Sequence, residues 1–436
     1  MKLYIETLGC AMNVRDSENL IAELREKEGY SLTSHIGEAD LILINTCSVR
    51  EKPEQKLFSE IGQFAKQKKP GAKIGVCGCT ASALGAEIIK KAPQVDFVLG
   101  ARNLSKITTV LHKPGAVEVD TSHDDSAYVF SDSRPSGVKG LLNISIGCDK
   151  SCAYCIVPFT RGKEISIPFD LLYDQAVRLV KGGAKELLLL GQNVNHYGIR
   201  FSSPHPKMDF CDLLRGLSKI DGLLRIRFTS PHPLHMDDAF LDEFASNPKV
   251  CKSLHIPLQS GSNKILRSMR RGYTQQWYLN RIAALKQRVP GVGLSTDIIV
   301  GFPDESEADF QETLRVLEEV RFDTIYSFVY SPRPHTIAAS WGEQGAVPSA
   351  VAKERLARLQ QRHREILSED SQALVGTRHE VLIDSNKHQP HHSFSEGRSD
   401  SNRLVRLDGE FIDIGSLVLV EITQSRGGAL YGRLCQ

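Results

Sequence analysis

The first part of the chain alternates short apolar runs with stretches of helix-forming residues. Four runs have the length and composition of buried strands: residues 2–7, 40–46, 73–78 and 95–100. Helix formers fill the spans between them, near 15–28, 51–68 and 82–92. Strands that alternate with helices are typical of a parallel sheet covered by helices. The pattern predicts a parallel α/β domain over residues 1–116.

The middle of the chain repeats the strand–helix unit six times. The predicted strands are residues 141–147, 186–191, 224–230, 253–258, 294–301 and 323–330. Helical patterns separate them, as over 309–320. Six units predict a partial (β/α)6 barrel, an incomplete relative of the eight-fold barrel that is open on one side. We assign this core to residues 137–367 and a linker rich in Ser and Asp to residues 117–136.

The pattern changes again after a basic helix at residues 352–367. From about residue 376, short apolar runs are separated by glycine turns, which predicts a small antiparallel β-barrel over residues 374–436. The helix carries Lys353, Arg355, Arg358, Arg362 and Arg364. Such a helix either covers phosphates or forms an ordinary solvated face. The chain is therefore expected to be an α/β multidomain protein.

Composition excludes little. A length of 436 residues fits two or three domains, and 54 basic against 52 acidic side chains leave a formal charge of +2. Any contact with RNA must therefore come from local patches. No apolar run approaches the roughly 18 residues of a membrane span, and the start MKLYIETLGC does not resemble a signal peptide. We expect a cytoplasmic protein.

Six of the ten cysteines fall into two sets of three. Cys148, Cys152 and Cys155 have the spacing C-x3-C-x2-C directly after the first core strand. Other residues at the ends of core strands are Gln192, His232, Gln259, Gly301 and Arg333. Three thiolates can hold three corners of a [4Fe–4S] cluster and leave one iron for a small molecule. The alternative is a zinc knuckle or a redox thiol group, but zinc needs a fourth ligand and no His or Cys follows Cys155 closely.

The second set is dispersed along the N-terminal domain. Cys10, Cys47 and Cys79 each follow a predicted strand. Because the carboxyl ends of parallel strands share one edge, where ligands bind, these cysteines are expected to converge. The alternative is that they are buried structural residues. We interpret Cys77 as a residue inside the strand, and Cys211, Cys251 and Cys435 as packing residues.

The cysteine loop after the first strand of a βα barrel resembles the radical S-adenosylmethionine (SAM) superfamily. The resemblance implies that Cys148, Cys152 and Cys155 hold a [4Fe–4S] cluster. Its open iron binds SAM, and an electron from the cluster splits SAM into methionine and a 5′-deoxyadenosyl radical. The family also implies SAM contacts at Tyr154, at Gly191, Gln192 and Asn193 in LLGQNVN, and at Gly301 in DIIVGFPDES. Both stretches also fit ordinary strand-to-helix turns.

The sequences TLGCAMN, NTCSVREKPEQK and VCGCTAS resemble the methylthiotransferase branch of that superfamily, over the whole chain. The branch implies a second [4Fe–4S] cluster on Cys10, Cys47 and Cys79, which provides the inserted sulfur. The Gly–Cys pair of the family matches Gly78 and Cys79. A reducing electron donor such as a flavodoxin or ferredoxin is implied.

The target is also inferred from resemblance, and three branches of the family are candidates. NTCSVREKPEQK, GQNVNHYG and IRFTSPHP are most similar to the branch that acts on N6-isopentenyladenosine beside the tRNA anticodon. The resemblance implies replacement of C2–H by C2–SCH3, with one SAM as methyl donor and one as radical source. The alternatives are the branch for threonylcarbamoyl-adenosine and the branch for a ribosomal-protein aspartate. A non-catalytic, zinc-containing RNA-binding protein is an alternative of another class.

The C-terminal stretch SFSEGRSDSNRLVRLDG resembles the small RNA-binding barrel called TRAM. Its implied partner is tRNA. The sequence HQPHH, with His388, His391 and His392, fits a polar turn better than a metal site.

Overall fold

The computed structural model describes residues 1–48, 51–121, 137–201, 205–389, 392–409 and 411–435, apart from the side chains of residues 51–55, 389 and 392. The predicted linker lies outside the described residues from position 122 onward. Within the described residues, no helix combines the length and the apolar character needed to cross a membrane.

The N-terminal domain is a six-stranded parallel sheet. Its strands are β1 (Lys2–Leu8), β2 (Ser31–Leu32), β3 (Leu41–Thr46), β4 (Lys73–Gly78), β5 (Phe97–Gly100) and β6 (Ala116–Glu118), in the order β2-β1-β3-β4-β5-β6. Its helices are α1 (Ala11–Glu28), α2 (Glu51–Gln67), α3 (Cys79–Leu84), α4 (Glu87–Lys91) and α5 (Ile107–Val110). β3 and β5 are buried throughout, which explains their unbroken apolar sequences.

Two details of this domain differ from the sequence prediction. The single helix expected near 82–92 is wrong, because Gly85 ends α3 and α4 begins at Glu87. The edge strands β2 and β6 were not predicted, since two or three half-exposed residues carry no recognisable period.

The core contains six parallel strands arranged as two sheets of three. The strands of this region are β7 (Lys139–Asn143), β8 (Ser145–Ile146), β9 (Ile165–Ser166), β10 (Glu186–Leu190), β11 (Arg225–Phe228), β12 (Ser253–His255), β13 (Gly293–Val300) and β14 (Thr324–Val329). One sheet has the order β11-β10-β7 and the other β12-β13-β14, while β8 and β9 form a separate antiparallel pair. A parallel bridge between Ile226 and Val250 joins the two sheets, so the six strands form the predicted partial barrel.

Seven helices accompany these strands in the described part of the core. They are α6 (Val157–Arg161), α7 (Phe169–Lys181), α8 (Phe210–Leu217), α9 (Asp238–Ser246), α10 (Asn263–Ser268), α11 (Gln275–Arg288) and α12 (Glu307–Val320). Their starts follow the chemistry of the sequence: Ser262, Thr274 and Ser306 each accept a backbone N–H at the beginning of a helix. One apolar cluster runs from Leu3 and Leu20 to Leu317 in α12, so the N-terminal sheet and the core share packed side chains.

The C-terminal segment is a closed five-stranded barrel that follows a long helix. The elements are α13 (Ser349–Gln372), β15 (Arg378–Gln389), β16 (His392–Ser399), β17 (Leu404–Asp408), β18 (Leu417–Arg426) and β19 (Ala429–Leu434). The barrel closes in the order β15-β16-β17-β19-β18. The predicted small barrel is confirmed, but it is not wholly antiparallel, because β17 and β19 pair in parallel. His391 and the side chain of His392 lie outside the described residues, and His388 Nδ1 lies 2.8 Å from Ser393 Oγ.

Of the arginines on the basic helix α13, Arg355 is too buried to cover phosphates, whereas Arg358 and Arg362 are partly exposed in ion pairs. Arg355 is only 4% exposed and binds Glu305. Arg358 pairs with Glu307 and Glu354. Arg362 pairs with Glu318, Glu365 and Glu369. Their charges are offset by carboxylates, many of them on or beside α12, so these side chains attach α13 to the core.

The C-terminal barrel contacts the amino ends of the core strands. Arg225, the first residue of β11, donates to the carbonyls of Arg398 (2.7 Å) and Glu380 (2.9 Å). Arg227 donates to the carbonyls of Ser399 (2.7 Å) and Asp400 (2.9 Å). The cysteine loop follows the opposite, carboxyl end of β7, so the barrel and the cysteines lie at opposite ends of the core.

Candidate active site

Cys10, Cys47 and Cys79 lie at the carboxyl edge of the N-terminal sheet. Cys10 directly precedes α1, Cys47 directly follows β3, and Cys79 is the first residue of α3 after β4. The Sγ atoms of Cys10 and Cys47 are hydrogen-bonded, and the charge of Arg161 acts on both Cys10 and Cys79. The structure therefore brings these three sequence-distant cysteines together.

Two asparagines and a glycine shape this edge. Asn13 Nδ2 donates to Asn45 Oδ1 at 3.1 Å, and Asn45 Nδ2 returns a bond of 2.8 Å to the Asn13 carbonyl. Asn13 Oδ1 also accepts the backbone N–H of Cys10 at 3.3 Å. Gly78 has φ +94°, and a Cβ there would lie 2.3 Å from Asn45 Oδ1. Only glycine permits this approach directly before Cys79.

The environment shifts the thiol pKa values in opposite directions. The hydrogen bond with Cys47 lowers the pKa of Cys10 to about 5, with the charge of Arg161 acting in the same sense and burial against it. Burial raises the pKa of Cys79, although Arg161 opposes the rise. Cys77 points into the apolar core, where burial raises its pKa to about 12. Of these three thiols, Cys10 is therefore the one whose surroundings favour the thiolate.

The second set of cysteines lies on the loop that leaves β8. The Cys148 N–H donates to the Gly162 carbonyl (3.1 Å), and the Cys155 N–H donates to the Cys152 carbonyl (3.1 Å). Gly147 has φ +82°, and a Cβ there would lie 2.1 Å from the Lys163 carbonyl oxygen. Burial raises the pKa of Cys148 to about 11 and that of Cys155 to about 12.

A buried arginine contacts each set of cysteines. Arg271 Nη1 donates to Cys152 Sγ at 3.3 Å, and its other nitrogens bind the Tyr273 hydroxyl and the Pro257 carbonyl. Arg161 Nε donates to Cys79 Sγ at 3.2 Å. N–H groups aimed at sulfur stabilise thiolate charge and orient the ligand. The sequence reasoning missed both arginines, because their cysteine partners are distant in the chain.

Arg161 also connects the core with the N-terminal domain. It ends α6, directly after the loop with Cys148, and its Nη2 binds Asp16 Oδ2 at 2.6 Å in a buried ion pair. Burial disfavours its charge, but Asp16 and the thiolates of Cys79 and Cys10 raise the pKa of Arg161 well above its ordinary value. Met12 Sδ and Gln192 Nε2 form a second contact between the two domains. The two cysteine sets therefore face each other across one interface.

Three predicted SAM contacts surround the start of the cysteine loop. Gln192 Oε1 accepts the Gly147 N–H at 2.6 Å. Asn193 is buried and donates to Glu164 at 3.4 Å. A Cβ at Gly191 would lie 2.5 Å from Ser145 Oγ. These residues share the carboxyl ends of β8 and β10 with the cysteines.

The two other predicted contacts have packing partners. Tyr154 packs against an apolar cluster that includes Met269 and Phe302, and burial raises its pKa well above the ordinary value. A Cβ at Gly301 would lie 2.6 Å from Cβ of Ala352 in α13. The lack of a side chain at Gly301 thus serves helix packing, a reason that the sequence did not indicate.

Several polar groups at the mouth of the core have no protein partner among the described residues. They are Ser145 Oγ, Asn193 Oδ1, Gln259 Oε1 and His235 Nε2, all of them buried atoms. Gln259 also has φ +72°, which is rare for a residue with a side chain. Buried polar atoms are nearly always satisfied. These groups therefore fit a polar ligand.

The remaining strand-end residues lie near the same mouth. Burial and the charge of Arg271 lower the pKa of His232 to about 2, so its imidazole is neutral. His196 stacks on His235 with ring centroids 4.3 Å apart, and its Nδ1 lies 3.1 Å from Glu164. Arg333 is 8% exposed. The imidazole of His232 can therefore form hydrogen bonds beside Arg271 without adding a second positive charge.

The donor chemistry fits an iron–sulfur cluster better than a single ion. Within the described ranges, no three His, Cys, Asp or Glu side chains come close enough to hold one metal ion. Three thiolates that each bind a different iron of a cluster do not need to meet at one point. Each site offers three cysteine thiols and a buried arginine N–H, which suits a cluster with sulfur ligands.

Comparison with protein families gives two matches. The radical SAM superfamily matches residues 142–317, and a family described as "Uncharacterized protein family UPF0004" matches residues 2–100. The tRNA-2-methylthio-N(6)-dimethylallyladenosine synthase of Helicobacter hepaticus is 67% identical over 433 residues, which are 99% of this chain and 94% of that one. The enzyme of the same name from Wolinella succinogenes is 62% identical over 431 residues, 99% of each chain.

Solved structures support the fold. The radical SAM methyltransferase TsrM from Kitasatospora setae superimposes with a TM-score of 0.56 at 11% identity, over 77% of this chain and 73% of that one. The cobalamin-dependent SAM radical enzyme OxsB gives a TM-score of 0.50 at 12% identity, over 82% of this chain and 56% of that one.

Proposed function

Since this chain belongs to the tRNA-2-methylthio-N(6)-dimethylallyladenosine synthase family, we propose that it replaces C2–H of N6-isopentenyladenosine in tRNA by C2–SCH3. The modified base is the adenosine on the 3′ side of the anticodon. The chain is an enzyme of the radical SAM superfamily, which uses an iron–sulfur cluster and SAM. C2 carries no acidic proton and no leaving group, so radical chemistry suits this position.

The single observation that carries the proposal is the junction at Arg161. Arg161 follows the core cysteine loop in the sequence. Its Nε lies 3.2 Å from Sγ of Cys79, which belongs to the N-terminal set. Two cysteine sets that share an interface suit a reaction with two partners, a carbon radical and a sulfur species. We assign one [4Fe–4S] cluster to Cys148, Cys152 and Cys155, and a second to Cys10, Cys47 and Cys79. When bound, the clusters would supply the electron that splits SAM and the sulfur that is inserted.

The protein side chains hold and insulate these sites. Arg271 fixes Cys152 by linking it to the Pro257 carbonyl and the Tyr273 hydroxyl. Gln192 bridges Gly147 and Met12, which closes the gap between the two domains. We assign SAM to Gly191, Gln192, Asn193, Tyr154 and Gly301, beside the unpartnered polar atoms of the core mouth. Gly191, Asn193 and Gly301 are buried, and a site that excludes water protects a reactive radical.

The remaining parts of the proposal concern domains and partners. Residues 1–116 provide the sulfur-delivering site, 137–367 the radical core and 374–436 a TRAM barrel that grips tRNA. The anticodon loop supplies an unpaired base, so presenting it to the core costs little. A small reducing protein such as a flavodoxin or ferredoxin would deliver electrons.

Nucleoside mass spectrometry of tRNA tests the function. We expect cells without the gene to lack 2-methylthio-N6-isopentenyladenosine and to accumulate N6-isopentenyladenosine. Purified enzyme, reduced and free of oxygen, should form one S-adenosylhomocysteine and one 5′-deoxyadenosine per modified base. Loss of a threonylcarbamoyl-adenosine derivative, or of a modified ribosomal aspartate, with normal isopentenyladenosine would contradict the assigned substrate.

Iron content tests the two-cluster assignment. The enzyme should hold about eight irons per chain, and changing all three cysteines of either set to Ala should remove about four. The core variant should lose SAM cleavage, whereas the N-terminal variant should keep SAM cleavage and lose sulfur insertion. A wild-type enzyme with about four irons would contradict the assignment.

A further inference from the structure

The guanidinium of Arg161 lies in the N-terminal cysteine site, although its backbone belongs to the core. The side chain is 3% exposed. Its Nε donates to Cys79 Sγ and its Nη2 to Asp16, so two of its three nitrogens have partners. A buried ion pair with Asp16 would anchor the domains without any further contact.

The third nitrogen has no such partner. Nη1 of Arg161 is buried and makes no hydrogen bond to any described residue. The same holds for the hydroxyl of Ser48, the residue directly after Cys47. Buried donors are nearly always satisfied in native proteins, so each unsatisfied donor requires an explanation. Nε of the same planar guanidinium lies 3.2 Å from Cys79 Sγ, so Nη1 also belongs to the N-terminal cysteine site.

An anion is the ligand that this nitrogen suits. Arginine keeps its charge when buried and presents several N–H groups in a fixed plane, unlike the single ammonium of lysine. The bonds to Asp16 and Cys79 leave both N–H groups of Nη1 uncommitted. Asp16 already offsets the guanidinium charge, so Nη1 needs an acceptor atom, which the sulfur of a thiolate or hydrosulfide provides in a charge-assisted hydrogen bond.

We propose that Nη1 of Arg161 donates a hydrogen bond to a small anionic sulfur ligand, hydrosulfide or methylthiolate, held at the Cys10–Cys47–Cys79 site. This inference rests on the proposed function, which places sulfur delivery at that site. Arg161 then has two tasks: it orients Cys79 through Nε and binds the exchangeable sulfur through Nη1. Because it also follows the radical core loop, it fixes the position of that sulfur relative to the core.

Binding of methanethiolate to the N-terminal site tests the inference. The full-length chain with Cys148, Cys152 and Cys155 all changed to Ala isolates this site. In that background, Arg161→Lys and Arg161→Gln are titrated with methanethiolate, and the electron paramagnetic resonance signal of the reduced cluster is followed. Losing one charge-assisted hydrogen bond should weaken binding roughly 10- to 100-fold. Iron content should stay near four per chain.

Arg102→Lys is the matched control. Arg102 is buried in the same interface and donates to the carbonyls of Arg161 (2.7 Å) and Lys163 (3.0 Å), with no cysteine contact among these bonds. Its change should leave methanethiolate affinity within about twofold, since no donor to the ligand is lost. An equal loss in this variant would show that interface geometry, and not Nη1, controls binding.

Three further outcomes separate the inference from the proposed function. Unchanged methanethiolate affinity in Arg161→Gln with an intact cluster would overturn the inference alone. Loss of iron in both Arg161 variants would also overturn it, because Arg161 would then serve cluster assembly. If the chain with Cys148, Cys152 and Cys155 changed to Ala held no iron while Arg161 was unchanged, the proposal of two clusters would be contradicted instead.

Discussion

At the scale of single residues, two neighbouring cysteines have opposite environments. Cys77 lies inside β4 among apolar side chains and is fully buried, while Cys79 starts α3 and accepts an N–H from Arg161. A strand residue whose side chain points into the core cannot turn toward the sheet edge without disrupting the strand. Only Cys79 is placed as a ligand.

We therefore expect Cys77→Ala to keep the iron of the N-terminal site and Cys79→Ala to lose it. The Cys77→Ala change should cost about 1 kcal/mol of stability, because it removes one buried sulfur atom. Cys77→Ser should cost more, about 1–3 kcal/mol, since it buries a hydroxyl without a partner. Iron analysis and urea unfolding of the three variants measure these effects. Loss of iron in Cys77→Ala but not in Cys79→Ala would reverse the assignment.

Sequence reasoning had unequal success with single residues. The grouping of Cys10, Cys47 and Cys79 was predictable, because strand ends in a parallel sheet meet at one edge. Arg161 and Arg271 were not predictable, since nothing local distinguishes a buried arginine from a solvated one. The close approach of Ala352 to Gly301 was not predictable either, because it depends on how α13 folds back.

At the scale of elements, the hydrophobic period predicted the buried strands. It failed for short strands whose side chains are exposed or only half-buried. β16 was missed because its Ser-, Gly- and His-rich sequence has little β-propensity, and pairing with β15 and β17 compensates for this. The sequence also left the role of α13 open between phosphate contact and an ordinary solvated face. A row of arginines suggests phosphate binding, but carboxylates on or near α12 neutralise the row, and the sequence alone does not show which helices pack together.

The two kinds of arginine on α13 should differ sharply in their contribution to stability. Arg355 forms a buried pair with Glu305 at 2.9 Å, and Glu305 also accepts the Gly301 N–H. Arg355→Ala leaves that carboxylate buried without its cation and should lower the free energy of unfolding by about 3–5 kcal/mol. Arg358 is partly exposed in its ion pairs, so Arg358→Ala should cost about 1 kcal/mol or less.

Urea unfolding of both variants, followed by far-ultraviolet circular dichroism, measures this difference. Arg355→Ala combined with Glu305→Gln should recover part of the loss, because the glutamine amide is neutral and still accepts the Gly301 N–H. Equal costs for Arg355→Ala and Arg358→Ala would contradict the buried ion pair.

At the scale of the whole molecule, the C-terminal barrel and the cysteines occupy opposite ends of the core. β13 has eight residues, and such a strand is roughly 26 Å long. The tRNA grip proposed for the barrel would therefore lie at a distance of that order from the reacting base. If the barrel stays at a fixed distance from the cysteine sites, the barrel and the core can bind one tRNA molecule at the same time, as in any bivalent binder.

That fixed spacing depends on polar contacts, and a double variant removes those of Arg225 and Arg403 while Arg227 keeps its bonds to the Ser399 and Asp400 carbonyls. Arg225 donates to the Arg398 and Glu380 carbonyls, and Arg403 of the barrel pairs with Asp323 directly before β14. We expect Arg225→Ala with Arg403→Ala to release the barrel, since these contacts fasten its strands to the core. Small-angle scattering should show a larger radius of gyration, and the segment after α13 should become protease-sensitive.

The cysteine sites should not respond to this release, because they lie at the other end of the strands. Iron content and SAM cleavage should stay at wild-type levels, while affinity for isopentenylated tRNA should fall about tenfold as the spacing becomes variable. Lys139→Ala provides the control: it removes only the partly exposed bridge to Asp384, at 3.1 Å, and should change neither scattering nor affinity. If the double variant kept its scattering and the segment after α13 stayed resistant to protease, other contacts would hold the barrel. If the barrel were released without any loss of tRNA affinity, the barrel would not be the distant grip.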